Sequence, residues 1–279
     1  IQYQINTLMT TNGQSPFVTL FLNLDKDDEY LEENAMIVEE ILRQRLEGIK
    51  NEKGVYVTPA FPKLIYVLDE HNCLKGGKYD YITKLAVECS SKRLYPDYIS
   101  AKQMRATYQG NVFSCMGCRS FLSPWKDENG NFKFEGRFNQ GVVSINLPQI
   151  GILANKDEDA FWKLFDERLE LCFEALMVRH NALKGIKSDV SPIHWQYGAI
   201  ARLNKGETID KLLYGGYSTI SLGYIGLYEV TKLMKGVSHT QPEGEEFALR
   251  VMRHMREATD RWKKETGLGF APVSYTHLR

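Results

Sequence analysis

The sequence predicts an α/β protein built on a parallel sheet or barrel. Short apolar runs such as "SPFVTLFLNL" (15–24) and "PKLIYVLDE" (62–70) do not alternate with polar residues, which is the pattern of strands covered on both faces. Longer amphipathic segments, with apolar residues three and four apart, separate these runs along the chain. Those segments tend to open on acidic residues, and the long ones near the C-terminal half close on glycine.

Taken in order, 15–24 is expected as a buried strand rich in Phe, Val and Leu. Residues 27–50 follow as an amphipathic helix, apolar at 31, 35, 37, 38, 41, 42, 46 and 49. Acidic side chains crowd its start and basic ones its end, as the helix dipole favours. The run 62–70 is a second strand, and 79–94 a shorter helix. "GVVSINLPQIGI" (141–152) reads as a strand and 157–185 as a long helix ending at Lys184 and Gly185. "YSTISLGYIGLYEVTKLMKG" (217–236) reads as strand, glycine turn and helix, and 242–267 as a last helix. The first residues, "IQYQINTLMTTNG", read as a strand and turn, and "GLGFAPVSYTHLR" as a short apolar run with no closing element. Both ends therefore look cut, and the chain is expected to be an internal piece of a longer protein.

With 279 residues, 43% hydrophobic and 25% charged, the chain has enough apolar surface for a large core. Its 35 basic and 35 acidic residues cancel, which argues against a surface made to bind nucleic acid. No run approaches the about 18 apolar residues of a membrane span, so no membrane is expected. Five cysteines, at 73, 89, 115, 118 and 172, do not look like a secreted disulfide framework, and a reducing cytoplasm is the expected compartment.

Two of the cysteines share the stretch "SCMGCRSFLSPW" (114–125). A zinc site needs about four ligands, usually in two pairs, and there is only this one C-x-x-C. His71, His180, His194, His239, His254 and His277 are dispersed. A redox dithiol would open a helix, whereas this segment runs into Pro124. Packing as two small apolar side chains is the plain alternative. Gly117 and the apolar Met116, Phe121 and Leu122 favour a loop tip that enters an apolar interior. Burial there keeps a thiol protonated, suited to hydrogen-atom transfer and unsuited to attack as a thiolate.

Four ordered stretches, "NTLMTTNGQSPFVTLFLNL" (6–24), "MGCRSFLSPW" (116–125), "GRFNQGVVSINLPQIGI" (136–152) and "GYSTISLGYIGLYE" (216–229), resemble the anaerobic, glycyl-radical (class III) ribonucleoside-triphosphate reductases. The resemblance implies a ten-stranded α/β barrel, incomplete in this chain, with a finger loop through its centre. It divides the chain into a partial catalytic barrel domain, 1–271, and a tail, 272–279, that does not look native to the family. Carried over residue by residue, Cys118 would be the transient thiyl radical that takes hydrogen from the ribose. Asn146 of "SINLP" would bind the ribose hydroxyls, its amide able to donate and accept at once. Ser120 would stand where aerobic reductases have a catalytic glutamate, consistent with formate as the reductant. Gln14 and Ser15 would face the nucleotide, while Cys115 would be incidental.

The same resemblance implies the partners of the whole protein. These are a ribonucleoside triphosphate substrate, ATP and deoxynucleotide effectors, a radical-SAM iron–sulfur activase and a second copy of the subunit. The helix at 27–50 resembles the region that dimerises and binds specificity effectors, with simple packing on the barrel as the alternative. The glycyl radical and the zinc-binding cysteine pairs would lie after the last residue here, and an ATP-binding cone before the first. A pyruvate formate-lyase-like enzyme is disfavoured because Cys115 and Cys118 are not adjacent. A non-catalytic cysteine-pair module for metal or protein binding is the alternative from another class.

Overall fold

The computed structural model describes residues 2–9, 13, 17–115, 121–122, 125–127 and 129–274. It consists of two compact units, Ile1–Ser120 and Phe121–Arg279.

In the first unit, α1 (Gln2–Thr7) precedes β1 (Thr19–Leu22), α2 (Leu31–Glu47), a small antiparallel pair β2 (Ile49–Lys50) and β3 (Tyr56–Val57), then β4 (Lys63–Leu68). The helices α3 (Glu70–Cys73) and α4 (Asp80–Arg93) lead to β5 (Asp97–Ser100) and α5 (Ala101–Thr107). The sheet runs β1-β4-β5, all parallel, with Thr19 beside Lys63 and Ile65 beside Asp97. The central β4 is buried at Leu64, Ile65, Tyr66 and Val67, which is why its sequence reads as an unbroken apolar run. Leu42 of α2 and Ile82, Ala86 and Cys89 of α4 pack with Leu64 and Tyr66. Burial pushes the Cys89 thiol up to about 11, so it is an unreactive packing group.

A buried cation ties this unit together. Arg45 on α2 is fully buried, and its pKa is lowered by that burial. It donates Nε to Gln2 Oε1 at 2.9 Å, Nη1 to the Pro59 carbonyl at 3.1 Å and Nη2 to the Pro62 carbonyl. Gln2 in turn donates to the Ile41 carbonyl at 2.9 Å. These contacts hold residues 2–7 as a helix where a strand is expected from sequence. At the end of β4, Asp69 caps α3 and accepts both arms of Arg105, at 3.0 and 2.5 Å. Those hydrogen bonds hold its carboxyl below the usual range.

The second unit is built from β6 (Asn139–Asn146), α6 (Leu147–Ala154), α7 (Glu158–Leu183), α8 (Pro192–Trp195), β7 (Thr219–Ile225), α9 (Leu227–Lys235), α10 (Pro242–Thr266) and β8 (Gly269–Ser274). Its sheet runs β6-β7-β8, again all parallel. Phe161, Phe165, Phe247, Trp262 and Phe270 form the centre of a core between the sheet and its helices. The paired part of β8 includes Pro272 and Val273, beside Leu222 and Gly223. Proline is tolerated there because β8 is an edge strand. The run expected as a strand over 141–152 divides: the strand ends at Asn146 and Leu147 begins a helix. Both units are α/β with parallel sheets, and among the described residues the strands do not close into a barrel.

Polar groups are buried where β6 begins. Arg137 donates to the carbonyls of Tyr217 at 2.7 Å, Gly216 at 2.6 Å and Lys133 at 3.1 Å, and burial lowers its pKa to about 10. Gln140 donates to the Leu213 carbonyl at 3.0 Å and Ser218 Oγ at 2.8 Å, and its Oε1 lies 2.7 Å from His180 Nδ1. His180 is 1% exposed, and burial followed by the charge of Lys184 lowers its pKa.

Two outcomes follow from these buried groups. Arg45→Met leaves the Pro59 and Pro62 carbonyls without donors and is expected to cost about 2–4 kcal/mol by denaturant unfolding. Arg45→Lys cannot reach three acceptors at once and is expected to recover only part of this. For His180 the neutral form is favoured by folding, so its contribution is complete above the ordinary histidine value of 6.5 and is lost as pH falls below it. Stability measured at pH 7.5 and 5.5 is expected to fall less for His180→Gln than for the unmodified protein.

Candidate active site

The carboxyl ends of parallel strands are where α/β proteins gather their chemistry, because connecting loops and helix starts converge there. At that end of β6 stands Asn146, with φ −92° and ψ 91°. Its Oδ1 accepts the backbone N–H of Gln149 at 3.2 Å, which makes it the N-cap of α6. Pro148, second in the helix, has no N–H to satisfy in that first turn. Only the amide oxygen can accept from Gln149, so the cap decides which way the amide faces. Both Nδ2 hydrogens stay free of the cap, on an exposed side chain.

The face on which Asn146 stands follows from alternation along the strand. Val143 and Ile145 pack with the helical core, so Ser144 and Asn146 share the opposite face. On β7, Ile220, Leu222 and Tyr224 enter the core, leaving Ser221 and Gly223 on that same opposite face. The register sets Ser144 beside Gly223 and Asn146 beside Ile225, and Asn139 Nδ2 donates to Ser221 Oγ at 2.5 Å. Ser221 and Gly223 are buried, whereas Ser144 and Asn146 are exposed and offer a hydroxyl and an amide, which suits a ligand with hydroxyl groups. A groove of about 230 Å³ runs along β6, lined by Val143, Ser144, Ile145 and Asn146, by Gln149 of α6, and by Arg168, Leu171 and Cys172 of α7. Burial raises the pKa of the Cys172 thiol.

A larger groove of about 320 Å³ lies elsewhere, on the outer faces of α7 and α10, lined by Trp162, Arg250, Arg253, His254 and Glu257. Two of its side chains, Arg250 and His254, are engaged with neighbouring groups. Arg250 sits 5.0 Å from the centre of the Trp162 ring and 3.3 Å from Glu158, and His254 Nε2 lies 2.6 Å from Asp166. The strand end offers less space and more directed hydrogen bonding.

Of the residues expected in the site, Asn146 is described, and it stands at the carboxyl end of β6. Cys118, Ser120, Gln14 and Ser15 lie outside the described residues. Their neighbours Cys115 and Leu122 are buried at 6% and 5% exposure. Sequence reasoning does not anticipate the cap. The signal is present in "NLPQ": an asparagine followed by proline two places later marks a helix start. Ser144 and Ser221 are also missed, because a lone serine in a strand has no signature until the register is known.

The family model described as anaerobic ribonucleoside-triphosphate reductase matches residues 1–274. The chain belongs to this family. The reductase of Escherichia coli K12 is 42% identical over 279 residues, covering 98% of this chain and 38% of the relative. That of enterobacteria phage T4 is 41% identical over 280 residues, covering 98% of this chain and 44% of the relative. The chain thus spans less than half the length of these relatives. Among solved structures, the Thermotoga maritima anaerobic ribonucleotide reductase with citrate in the active site superposes with a TM-score of 0.60. It is 15% identical and covers 97% of this chain and 47% of that one. The same enzyme in complex with dATP and CTP gives 0.55, over 93% of this chain and 42% of that one. At such identity the superposition establishes the fold.

The cap and the free donors of Asn146 are separable. Asn146→Asp keeps an N-cap acceptor and is expected to unfold within about 0.5 kcal/mol of the unmodified protein, whereas Asn146→Ala is expected to lose about 1 kcal/mol by thermal or urea unfolding.

Proposed function

We propose that this chain is part of the catalytic subunit of an anaerobic ribonucleoside-triphosphate reductase, an oxidoreductase that converts ribonucleoside triphosphates to their 2′-deoxy forms. The observation that supports it most directly is the geometry at the end of β6: Asn146 Oδ1 is held by the helix cap while its two N–H donors stay available on an exposed side chain. In this reading Nδ2 donates to a ribose hydroxyl and so orients the sugar. Ser120, Gln14 and Ser15 contact the nucleotide beside it. The 1–271 segment works as one catalytic domain, and the first residues of 272–279 complete β8 beside it.

Cys118 acts on the oriented sugar. Its sulfur radical takes the C3′ hydrogen atom, forming the S–H bond and leaving the unpaired electron on the ribose carbon, and it returns that hydrogen at the end of turnover. An apolar surround suits this step, because burial keeps the thiol protonated between turnovers. A glycyl radical beyond this chain supplies the unpaired electron, and formate supplies the reducing equivalents. The radical is installed by a radical-SAM iron–sulfur activase, zinc is held by cysteine pairs in the C-terminal region, and the subunit pairs with a second copy. ATP and deoxynucleotides regulate it, and its thiol chemistry suits a reducing cytoplasm. Among the described residues no helix is long and apolar enough to cross a membrane. The Thermotoga relative solved with dATP and CTP is in keeping with a nucleotide-binding fold.

In the full-length enzyme, Cys118→Ser is expected to abolish deoxynucleotide formation while leaving the glycyl radical signal visible by electron spin resonance. Retained turnover would refute the assignment. Asn146→Asp, although stable, is expected to lose about 10- to 100-fold in kcat/KM for the ribonucleotide, the worth of one or two lost donors. An undiminished rate would remove Asn146 from the site.

A further inference from the structure

We infer that Gly226 and Pro148 form a seat that holds the first turn of α6 in place, which makes Gly226 a positioning residue for Asn146. The inference rests on the reading of Asn146 as a ribose-binding residue. Gly226 follows Ile225, the register partner of Asn146, so the two strand ends bring Gly226 against the start of α6. It has φ +76°, and a Cβ there would fall inside the van der Waals envelope of the Pro148 Cγ and Cδ, with Glu229 Oε2 3.5 Å away. A proline ring is closed onto its own backbone and cannot swing aside as a flexible side chain does. The clash is therefore relieved only by moving backbone, that of Gly226 or that of the α6 turn. Leu147 and Ile150, at 0% and 1% exposure, are set in the helical core on either side of Pro148 in the sequence, so that turn shifts only by disturbing the core.

The displacement reaches Asn146 directly. The turn that holds Pro148 also presents the Gln149 N–H, and the Asn146 Oδ1 rests on that N–H at 3.2 Å. Moving the turn loosens the cap and frees the amide to rotate, so Nδ2 no longer points one way. Farther along, a Cβ at Gly151 would lie 3.0 Å from Val230 Cγ2 and 3.4 Å from Leu233 Cδ1, so α6 approaches α9 closely at Gly151. The other end of α9 provides a control. Gly236 has the same φ of +76°, yet a Cβ there would meet nothing within 4 Å. Alanine at 236 thus introduces left-handed backbone strain alone, and alanine at 226 adds the collision with Pro148.

The test uses the full-length, activated enzyme. Gly226→Ala is expected to lower kcat/KM for the ribonucleotide about tenfold or more, the scale of a sub-ångström to one-ångström misplacement, while Gly236→Ala keeps the unmodified value. Adding Pro148→Ala removes Cγ and Cδ and is expected to recover most of the loss. Gly226→Ala matching Gly236→Ala, or no recovery in the double variant, would overturn the inference. If Gly226→Ala does not fold, the double variant decides by itself: folded and active supports the seat, inactive overturns it. Asn146→Ala separates the two readings. If it keeps full activity, the ribose role and the positioning role both fall; if it is inactive beside an unimpaired Gly226→Ala, only the positioning falls.

Discussion

The second unit turns on a single junction in which the residue that ends a strand also begins a helix. Asn146 belongs to β6 by its pairing with Ile225 and to α6 by the hydrogen bond from Gln149 to its side chain. The strand fixes where the side chain stands, and the cap fixes which end of its amide is free. Neither constraint alone would orient the donors. An uncapped asparagine rotates about χ2, and a cap on a loop has no fixed position. The apolar alternation of β6 and β7 then decides the surroundings: with Ile145, Leu222 and Tyr224 drawn into the helical core, Ser144, Asn146, Ser221 and Gly223 are left on the other face, between Val142 and Ile225.

Elsewhere the fold is held by two buried guanidinium groups with no carboxylate partner among the described residues. Arg45 and Arg137 both spend their donors on backbone carbonyls of irregular segments, Pro59 and Pro62 in one case, Gly216 and Tyr217 in the other. Each replaces the ladder that those segments lack, satisfying carbonyls that would otherwise be stranded away from water. Arg137 lies two residues before β6, and the Tyr217 ring stacks edge-on against Trp125 at 5.0 Å. The start of the strand is therefore fastened as firmly as its end.

Much of this is legible in the sequence, for a physical reason. β4, α2, α4, α7 and α10 are long or fully buried, so their apolar spacing reports directly on packing, and the expected spans agree with the observed ones to within a few residues. Elements that depend on distant partners are hidden. Residues 2–7 form a helix because Gln2 meets Arg45 and Ile41, contacts invisible in a local window. β5 is short with alternating, half-exposed residues, and β8 contains a proline that reads as a break until its edge position is known. "INLPQIGI" misleads in another way, since an apolar run serves strand and buried helix equally and only Pro148 separates them. Asn146 is recognisable by resemblance, but the hydrogen bond that aims it is a matter of three dimensions.

The most direct measurement is a crystal structure of the full-length enzyme with a ribonucleoside triphosphate bound. Asn146 Nδ2 is expected within about 3 Å of a ribose hydroxyl, with Oδ1 still on the Gln149 N–H and the Cys118 sulfur facing the same sugar. A ribose bound away from the end of β6, or an Asn146 amide turned so that its oxygen meets the sugar and the cap is broken, would contradict the role given to this junction.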